Sequence, residues 1–153
     1  MANNWKQNLI DLWGRLTATR AASLDATAAG RMQIKGTTID LNQAAGTYDL
    51  LTGMDAYVVL LSLVIRMTNG AVGGAVTGIT IQTDDNTPQV IIPAAQGVVA
   101  NLTDEAQLSW AGEVLIAIGT KIRLTIVGGA AGVAKVCQVV AMYRAESAGG
   151  YLV

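Results

Sequence analysis

The stretch AYVVLLSLVIRM, residues 56–67, is the longest apolar run in the chain, and turn-forming residues lie on both sides of it. Its β-branched and aliphatic side chains are typical of a strand, and its odd positions are all apolar, which predicts that they face a core. The even positions are mostly apolar too, interrupted by Ser62 and Arg66. We therefore expect the even face to be largely covered, by an N-terminal helix or by another copy of the protein. The interface residues predicted on it are Val58, Leu60 and Val64.

The composition indicates more apolar surface than one soluble domain hides. Of the 153 residues, 52% are hydrophobic and 14% are charged, and the mean hydropathy is +0.42. An average domain has about 25% charged residues. The longest apolar run is well short of the ~20 residues that span a bilayer, and the N-terminus does not resemble a signal peptide. We expect a soluble chain made in the cytoplasm, with no membrane partner and with much of its surface buried against protein.

The charges divide the chain into a basic arm and an acidic body. Residues 1–35 contain five basic and two acidic side chains, whereas residues 36–153 contain five basic and nine acidic ones. Because the five basic residues of the arm are spaced and not clustered, they favour an acidic protein surface over nucleic acid. No nucleic-acid partner is predicted.

Residues 4 to about 28 have the pattern of an amphipathic helix, with apolar residues spaced by four, three and four positions. The pattern fades beyond Leu16, which is too short for a coiled coil. The stripe either packs across the sheet of its own domain or forms a contact between subunits; an interfacial membrane helix is disfavoured because its polar face is not rich in Lys and Arg. The interface residues predicted in this segment are Trp5, Leu9, Leu12, Trp13, Leu16 and Arg20.

From Lys35 onward the chain has about eight short strand patterns separated by turn signals, at the spacing of a sandwich or barrel. No helix-length segment lies between them, which disfavours a parallel βαβ fold. Alternation in residues 113–127 predicts that Val114, Ile116, Ile118, Ile122, Leu124 and Ile126 face inward, with a possible turn at Gly119-Thr120. The predicted fold is all-β, a jelly-roll-like β-sandwich over residues 32–153, preceded by an N-terminal amphipathic α-helix in an arm over residues 1–31.

Few residues suggest chemistry, and the sequence contains no histidine. Cys137 lies in a strand pattern, which favours a small core residue over a nucleophile. Asp84-Asp85-Asn86 lacks the spacing of a calcium loop and reads as a turn. Trp110, Tyr57 and Tyr143 are expected in the core or an interface, in preference to a sugar-binding platform. We predict no catalytic, cofactor-binding or metal-binding residue, no cofactor, and no enzymatic activity.

Four segments carry a resemblance to a known class of proteins: LTATRAASLD at 16–25, GTYDLLTG at 46–53, SLVIRMTNG at 62–70 and ITIQTDD at 79–85. A helix of the form LTxxRAxxLD ahead of a β-rich module resembles accessory virion proteins of tailed bacteriophages. Among these, capsid decoration (cement) proteins of this size are typically β-sandwich or jelly-roll domains that trimerise or dimerise over the joints between capsomers.

The resemblance implies a structural protein of the virion, a capsid decoration protein that binds and stabilises the major capsid lattice as a homo-oligomer, with a trimer favoured over a dimer. Its partners would be further copies of itself and the major capsid protein or another virion protein. The alternative is a neck, head-fibre or tail-fibre module that attaches to glycans on the host surface. The sequence leaves the virion component that it contacts open.

Overall fold

The computed structural model describes residues 30–68 and 70–153, in which nine β-strands and one short 3-10 helix, Val99–Asn101, follow one another. The predicted N-terminal helix and its stripe lie outside the described residues. The strands are β1 (Met32–Asp40), β2 (Gly46–Met54), β3 (Val58–Met67), β4 (Gly78–Thr83), β5 (Val90–Ile92), β6 (Gln107–Ile116), β7 (Lys121–Val127), β8 (Val136–Ala145) and β9 (Tyr151–Leu152).

The strands form two antiparallel sheets, which confirms the predicted all-β sandwich. The four-stranded sheet has the order β1-β8-β3-β6, and the five-stranded sheet has the order β5-β4-β7-β2-β9. Most chain connections cross between the sheets, since among the first eight strands only β4 and β5 are neighbours both in sequence and in a sheet. The two inner faces supply one continuous apolar core.

Alternating side chains from both sheets fill this core. In β7, Ile122, Leu124 and Ile126 point inward and are at most 1% exposed, as the alternation predicts. The prediction that Ile118 faces inward is wrong, because this residue is 58% exposed. The reason is that β6 ends at Ile116 and the chain turns before Lys121, so that the strand alternation no longer applies to the intervening residues.

In the central strand β3, the positions that face the core change from even to odd along the strand, whereas the sequence predicted odd positions throughout residues 56–67. Leu61 is an extra residue relative to β8, because the register shifts between Leu60 and Ser62. Such a bulge exchanges the two faces of a strand. Val58 and Leu60 therefore point into the core before the bulge and Leu63 into the core after it, each at 0% exposure. The prediction that the odd positions face inward is right only from Leu63 onward.

The two ends of the sandwich also differ from the sequence-based expectations. β1 begins at Met32, three residues before the strand patterns that the sequence shows from Lys35 onward, since the apolar residues of β1 change parity along the strand and give no clear period. At the other terminus, Leu152 is buried and its strand pairs with β2, so the apolar C-terminal end docks on the sheet. Thr52 and Val153 exchange two backbone hydrogen bonds there, of 3.1 and 3.0 Å.

Candidate assembly interface

The outer face of the five-stranded sheet is polar and its side chains bind one another. The hydroxyls of Thr47 and Thr125 lie 2.9 Å apart across β2 and β7. Beside them, Lys121 Nζ and Arg123 Nε donate to the carboxylate of Asp49 at 2.5 and 2.7 Å. These groups satisfy one another's hydrogen-bonding capacity while they remain partly exposed to water.

Asp49 is the centre of this network. The hydrogen bond from Lys121 is the main cause that lowers the pKa of the carboxyl below its ordinary value of 3.8, with a further contribution from Arg123 against an opposing effect of desolvation. Arg123 also reaches Asp84 in the turn after β4, at 3.3 Å, and the backbone N–H of Lys121 donates to Asp84 at 2.7 Å. The network therefore links β2, β7 and that turn.

The outer face of the four-stranded sheet is apolar over part of its area. Cross-strand pairing places Ile34 beside Met142 and, one row further along, Gly36 beside Val140, which in turn lies beside Val64 on β3. The exposed fractions are 72% for Ile34 and 42% for Val140, and Met142 and Val64 are half-buried. We call this surface the apolar face; it consists of Met32, Ile34, Gly36, Val64, Val140 and Met142.

The apolar face occupies one half of the sheet only. In the next row, Thr38, Gln138, Arg66 and Gln107 stand beside one another, and Arg66 forms an ion pair with Glu105. The apolar rows are those close to the point where residues 1–29 join the sandwich. At that junction the backbone N–H of Gly30 donates to the carbonyl oxygen of Ala145 at 2.8 Å.

A shallow depression borders the apolar face. Its volume is about 370 Å³, and Gly36, Thr38, Gln138 and Val140 contribute to its lining. It forms because Gly36 has no side chain in a row whose neighbours do. A Cβ atom at Gly36 would meet only the carbonyl oxygen of Val139, at 3.9 Å, so the space above this residue is open. A protruding apolar side chain of another element could fill it.

The predicted interface residues fall into three groups. Val64 lies on the outer surface as predicted, within the apolar face. Val58 and Leu60 do not, since their side chains are fully buried in the core of their own sandwich and offer no surface to a second copy. The residues Trp5, Leu9, Leu12, Trp13, Leu16 and Arg20 lie outside the described residues.

The sequence-based reasoning missed Met32, Ile34, Val140 and Met142. A signal for the last two was present, because β8 has apolar residues at both parities, as β3 does. Two-sided apolar strands that pair with each other predict a sheet covered on both faces. Met32 and Ile34 gave a weaker signal, since the strand that holds them has only these two large apolar residues at outward positions.

The aromatic residues and Cys137 are mostly structural. Tyr143 is 3% exposed and its hydroxyl donates to Gln33 Oε1 at 3.1 Å, Trp110 packs against the core, and Tyr57 is 50% exposed. Cys137 is a core residue, as predicted. Burial raises the pKa of its thiol to about 12, and its Sγ atom lies 3.3 Å from the sulfur of Met67.

The described part of the chain contains neither a metal-binding group of side chains nor a helix that could span a membrane. Within residues 30–68 and 70–153, no three His, Cys, Asp or Glu side chains are grouped so that they could hold a metal ion. Over the same residues, no helix has both the length and the apolar character needed to cross a bilayer.

Comparison with known proteins identifies the fold. No family model matches this chain, and no curated protein sequence matches it. A chain from the acid-stable capsid of Helicobacter pylori bacteriophage KHP30 superposes with a TM-score of 0.55 and 9% identity, over 82% of this chain and 94% of that one. A chain from the capsid asymmetric unit of cyanophage Pam1 superposes with a TM-score of 0.53 and 14% identity, over 76% and 86%. The protein thus shares its β-sandwich fold with chains of two phage capsids.

Proposed function

We propose that this protein is a structural component of a phage virion, a capsid decoration protein that binds the major capsid lattice as a homo-oligomer. The observation that carries the proposal is the likeness to two capsid chains over nearly their whole length. The aligned share is larger for the KHP30 chain than for this one, so that capsid chain is shorter than 153 residues. A capsid subunit consisting of one small sandwich fits an accessory role better than that of a shell protein.

The strand order supports a more specific fold. Two facing sheets of order β1-β8-β3-β6 and β5-β4-β7-β2, with β9 added at one edge, match the eight-stranded double-sheet arrangement of a jelly roll. We infer that the sandwich is a jelly roll with an N-terminal helix over residues 4 to about 28. Jelly rolls are common in viral capsids, and this fold-level analogy agrees with the proposed location in the virion.

The apolar surfaces supply the contacts that assembly needs. On the polar outer face of the five-stranded sheet, the charged side chains hydrogen-bond to one another. The apolar face instead leaves side chains such as Ile34 without cover within the described chain. In the proposed function, the stripe of Trp5, Leu9, Leu12, Trp13 and Leu16, with Arg20, packs on a neighbouring copy or on the shell. The oligomer is a trimer, synthesised in the host cytoplasm and incorporated into the virion without enzymatic activity or a cofactor.

Co-sedimentation with capsids of the source phage that lack this protein tests the proposal. The full chain is expected to pellet with the shells, and light scattering is expected to give the mass of an oligomer. Leu9→Asp with Leu16→Asp should abolish the oligomer because two charges would enter an apolar contact. The matched control is Gln7→Asp with Ala18→Asp, which adds the same charge on the opposite side of the predicted helix.

Two outcomes contradict the proposal. If the full chain stays in the supernatant with intact, undecorated shells, it is not a decoration protein. If it then binds glycans of the host surface, the fibre-module alternative takes its place. If the chain is a monomer in solution and still pellets with shells, the proposed homo-oligomer is wrong and the proposed decoration role is supported.

A further inference from the structure

We propose that the apolar face of one copy is the binding site for the N-terminal stripe of a neighbouring copy. This inference rests on the proposed function and specifies its contact between subunits. The apolar face has exposed side chains, an adjacent depression at Gly36, and no cover from residues 30–68 and 70–153. The apolar stripe at residues 5–16 is the segment of the chain whose chemistry matches it.

The dimensions of the two surfaces agree. Neighbouring strands lie about 4.8 Å apart, so the three strands that carry the apolar face span about 10 Å, and Met32 and Gly36 are about 13 Å apart along β1, which gives a diagonal of about 17 Å. Along a helix with a rise of about 1.5 Å per residue, Trp5 and Leu16 are about 17 Å apart. One stripe therefore crosses the apolar face once along its diagonal, and Trp5 or Trp13 is large enough to occupy the depression.

The position of the junction favours a neighbouring copy over the same copy. Residues 17–29 contain no glycine or proline, so the predicted helix runs unbroken up to Gly30. In such a helix, Leu16 lies about 21 Å and Trp5 about 38 Å from Gly30. Along β1, at about 3.3 Å per residue, the apolar rows end about 20 Å from Gly30 at Gly36. A helix folded back on its own sheet would place the stripe beyond the apolar rows.

Exchange of the segment between copies has a consequence for symmetry. Each copy gives one stripe and receives one, and the donor and acceptor surfaces are different patches. Reciprocal exchange between two copies gives a two-fold dimer, whereas exchange in one direction is heterologous and closes into a ring when the rotation between copies allows it. A trimer satisfies this requirement, and in it every stripe and every apolar face is covered.

Cross-linking between two variants, each with one added cysteine, tests the contact in the full chain. Leu12→Cys places a thiol in the stripe and Ile34→Cys places one on the apolar face. The native Cys137 is 1% exposed and the pKa of its thiol is raised to about 12, so it does not compete. The two variants are mixed, allowed to exchange, oxidised and separated under non-reducing conditions. We expect a covalent dimer in at least threefold excess over the matched control, in which Thr47→Cys on the five-stranded sheet replaces Ile34→Cys.

Each other outcome overturns the inference. A dimer no more abundant than in the control means that the stripe of a neighbour does not lie on the apolar face. A double variant, Leu12→Cys with Ile34→Cys in one chain, that forms only an internal disulfide means that the stripe covers its own sheet. Co-sedimentation of the same variants with capsids is measured separately. Binding to shells without the cross-link rejects this contact and leaves the decoration function intact, whereas failure of the unmodified chain to bind shells rejects the function itself.

Discussion

The two outer faces of the sandwich differ in chemistry, although each is the outer surface of a sheet that covers the same core. On the five-stranded sheet, Asp49, Lys121 and Arg123 bind one another while remaining in contact with water. On the four-stranded sheet, Ile34 and Val140 stand exposed beside apolar neighbours on β1, β8 and β3, and the polar residues of their rows are only Ser62 and Ser109. Both faces belong to sheets of one fold and cover one core. The difference teaches that the apolar inner faces are sufficient to form the core of this fold. The outer faces can therefore differ in chemistry, and an apolar outer face is the one suited to contact a partner.

The comparison also has an energetic side. Exposed ion pairs contribute roughly 0–1 kcal/mol each, and salt screens them. Burial of a large aliphatic side chain contributes about 1.5–3 kcal/mol. Covering the apolar face therefore gives more free energy than the whole charged network of the other sheet.

The largest effect is expected from a charge on the apolar face. Ile34→Asp should weaken self-association by about a hundredfold or more, because the variant loses apolar burial and places a carboxylate in a dry contact. Thr47→Asp on the five-stranded sheet is the matched control and should leave association unchanged. Light scattering over a dilution series measures both.

Cys137 shows whether the first variant is still folded. Its buried thiol should react slowly with a thiol reagent at pH 8 in the native chain, in Ile34→Asp and in Thr47→Asp alike. Rapid labelling of Ile34→Asp would mean that the sandwich itself has opened. The loss of assembly would then say nothing about the apolar face.

A smaller effect is expected from filling the depression. Gly36→Val adds a β-branched side chain on an extended strand where a Cβ atom has room. It should raise the free energy of unfolding by up to about 1 kcal/mol. Because the new side chain occupies the space of the depression, association should weaken severalfold. Chemical denaturation measures the free energy of unfolding, and light scattering measures association. Unchanged association would mean that the depression is not part of the contact between copies.

The smallest effect is expected on the charged face. Asp49→Asn should reduce stability by about 0.5 kcal/mol at neutral pH, since the carboxylate is 46% exposed and its interactions are screened. The pKa of Asp49 is lowered in the folded protein, so its contribution is present above the unfolded value near 3.8 and is lost as the pH falls through the folded value. The native chain and the variant should therefore converge in Tm once the pH has fallen below the folded pKa of Asp49. A gap that persists there would assign the effect to something other than this ionisation.

Much of the fold could be predicted from the sequence because β7 and its neighbours alternate clearly. Ile122 and Leu124 point inward while Lys121 and Arg123 point outward, and one face of such a strand must be in water. The turn between β6 and β7 was also predicted, since glycine and threonine interrupt the pattern. The excess of apolar residues indicated that an outer face would need cover.

The location of that face could be predicted only in part. Val64 was identified, but Val58 and Leu60 were assigned to the wrong side because a bulge leaves no mark in the hydrophobic pattern. The bulge depends on the partner strands, which are distant in sequence. Ile34 was missed for the same reason, since it becomes part of an apolar surface only when β8 places Met142 and Val140 beside it.

The bulge at Leu61 also bears on how the chain can change over evolutionary time. Since Leu61 is the one unpaired residue between Leu60 and Ser62, its deletion would remove the bulge and leave Val58 and Leu60 paired with Ala145 and Tyr143 as they are now. The core positions of both halves of β3 would then be kept. Substitution tolerance along β3 should then follow odd and even positions that swap at residue 61, and a single-residue deletion there should be tolerated better than one at Ile65.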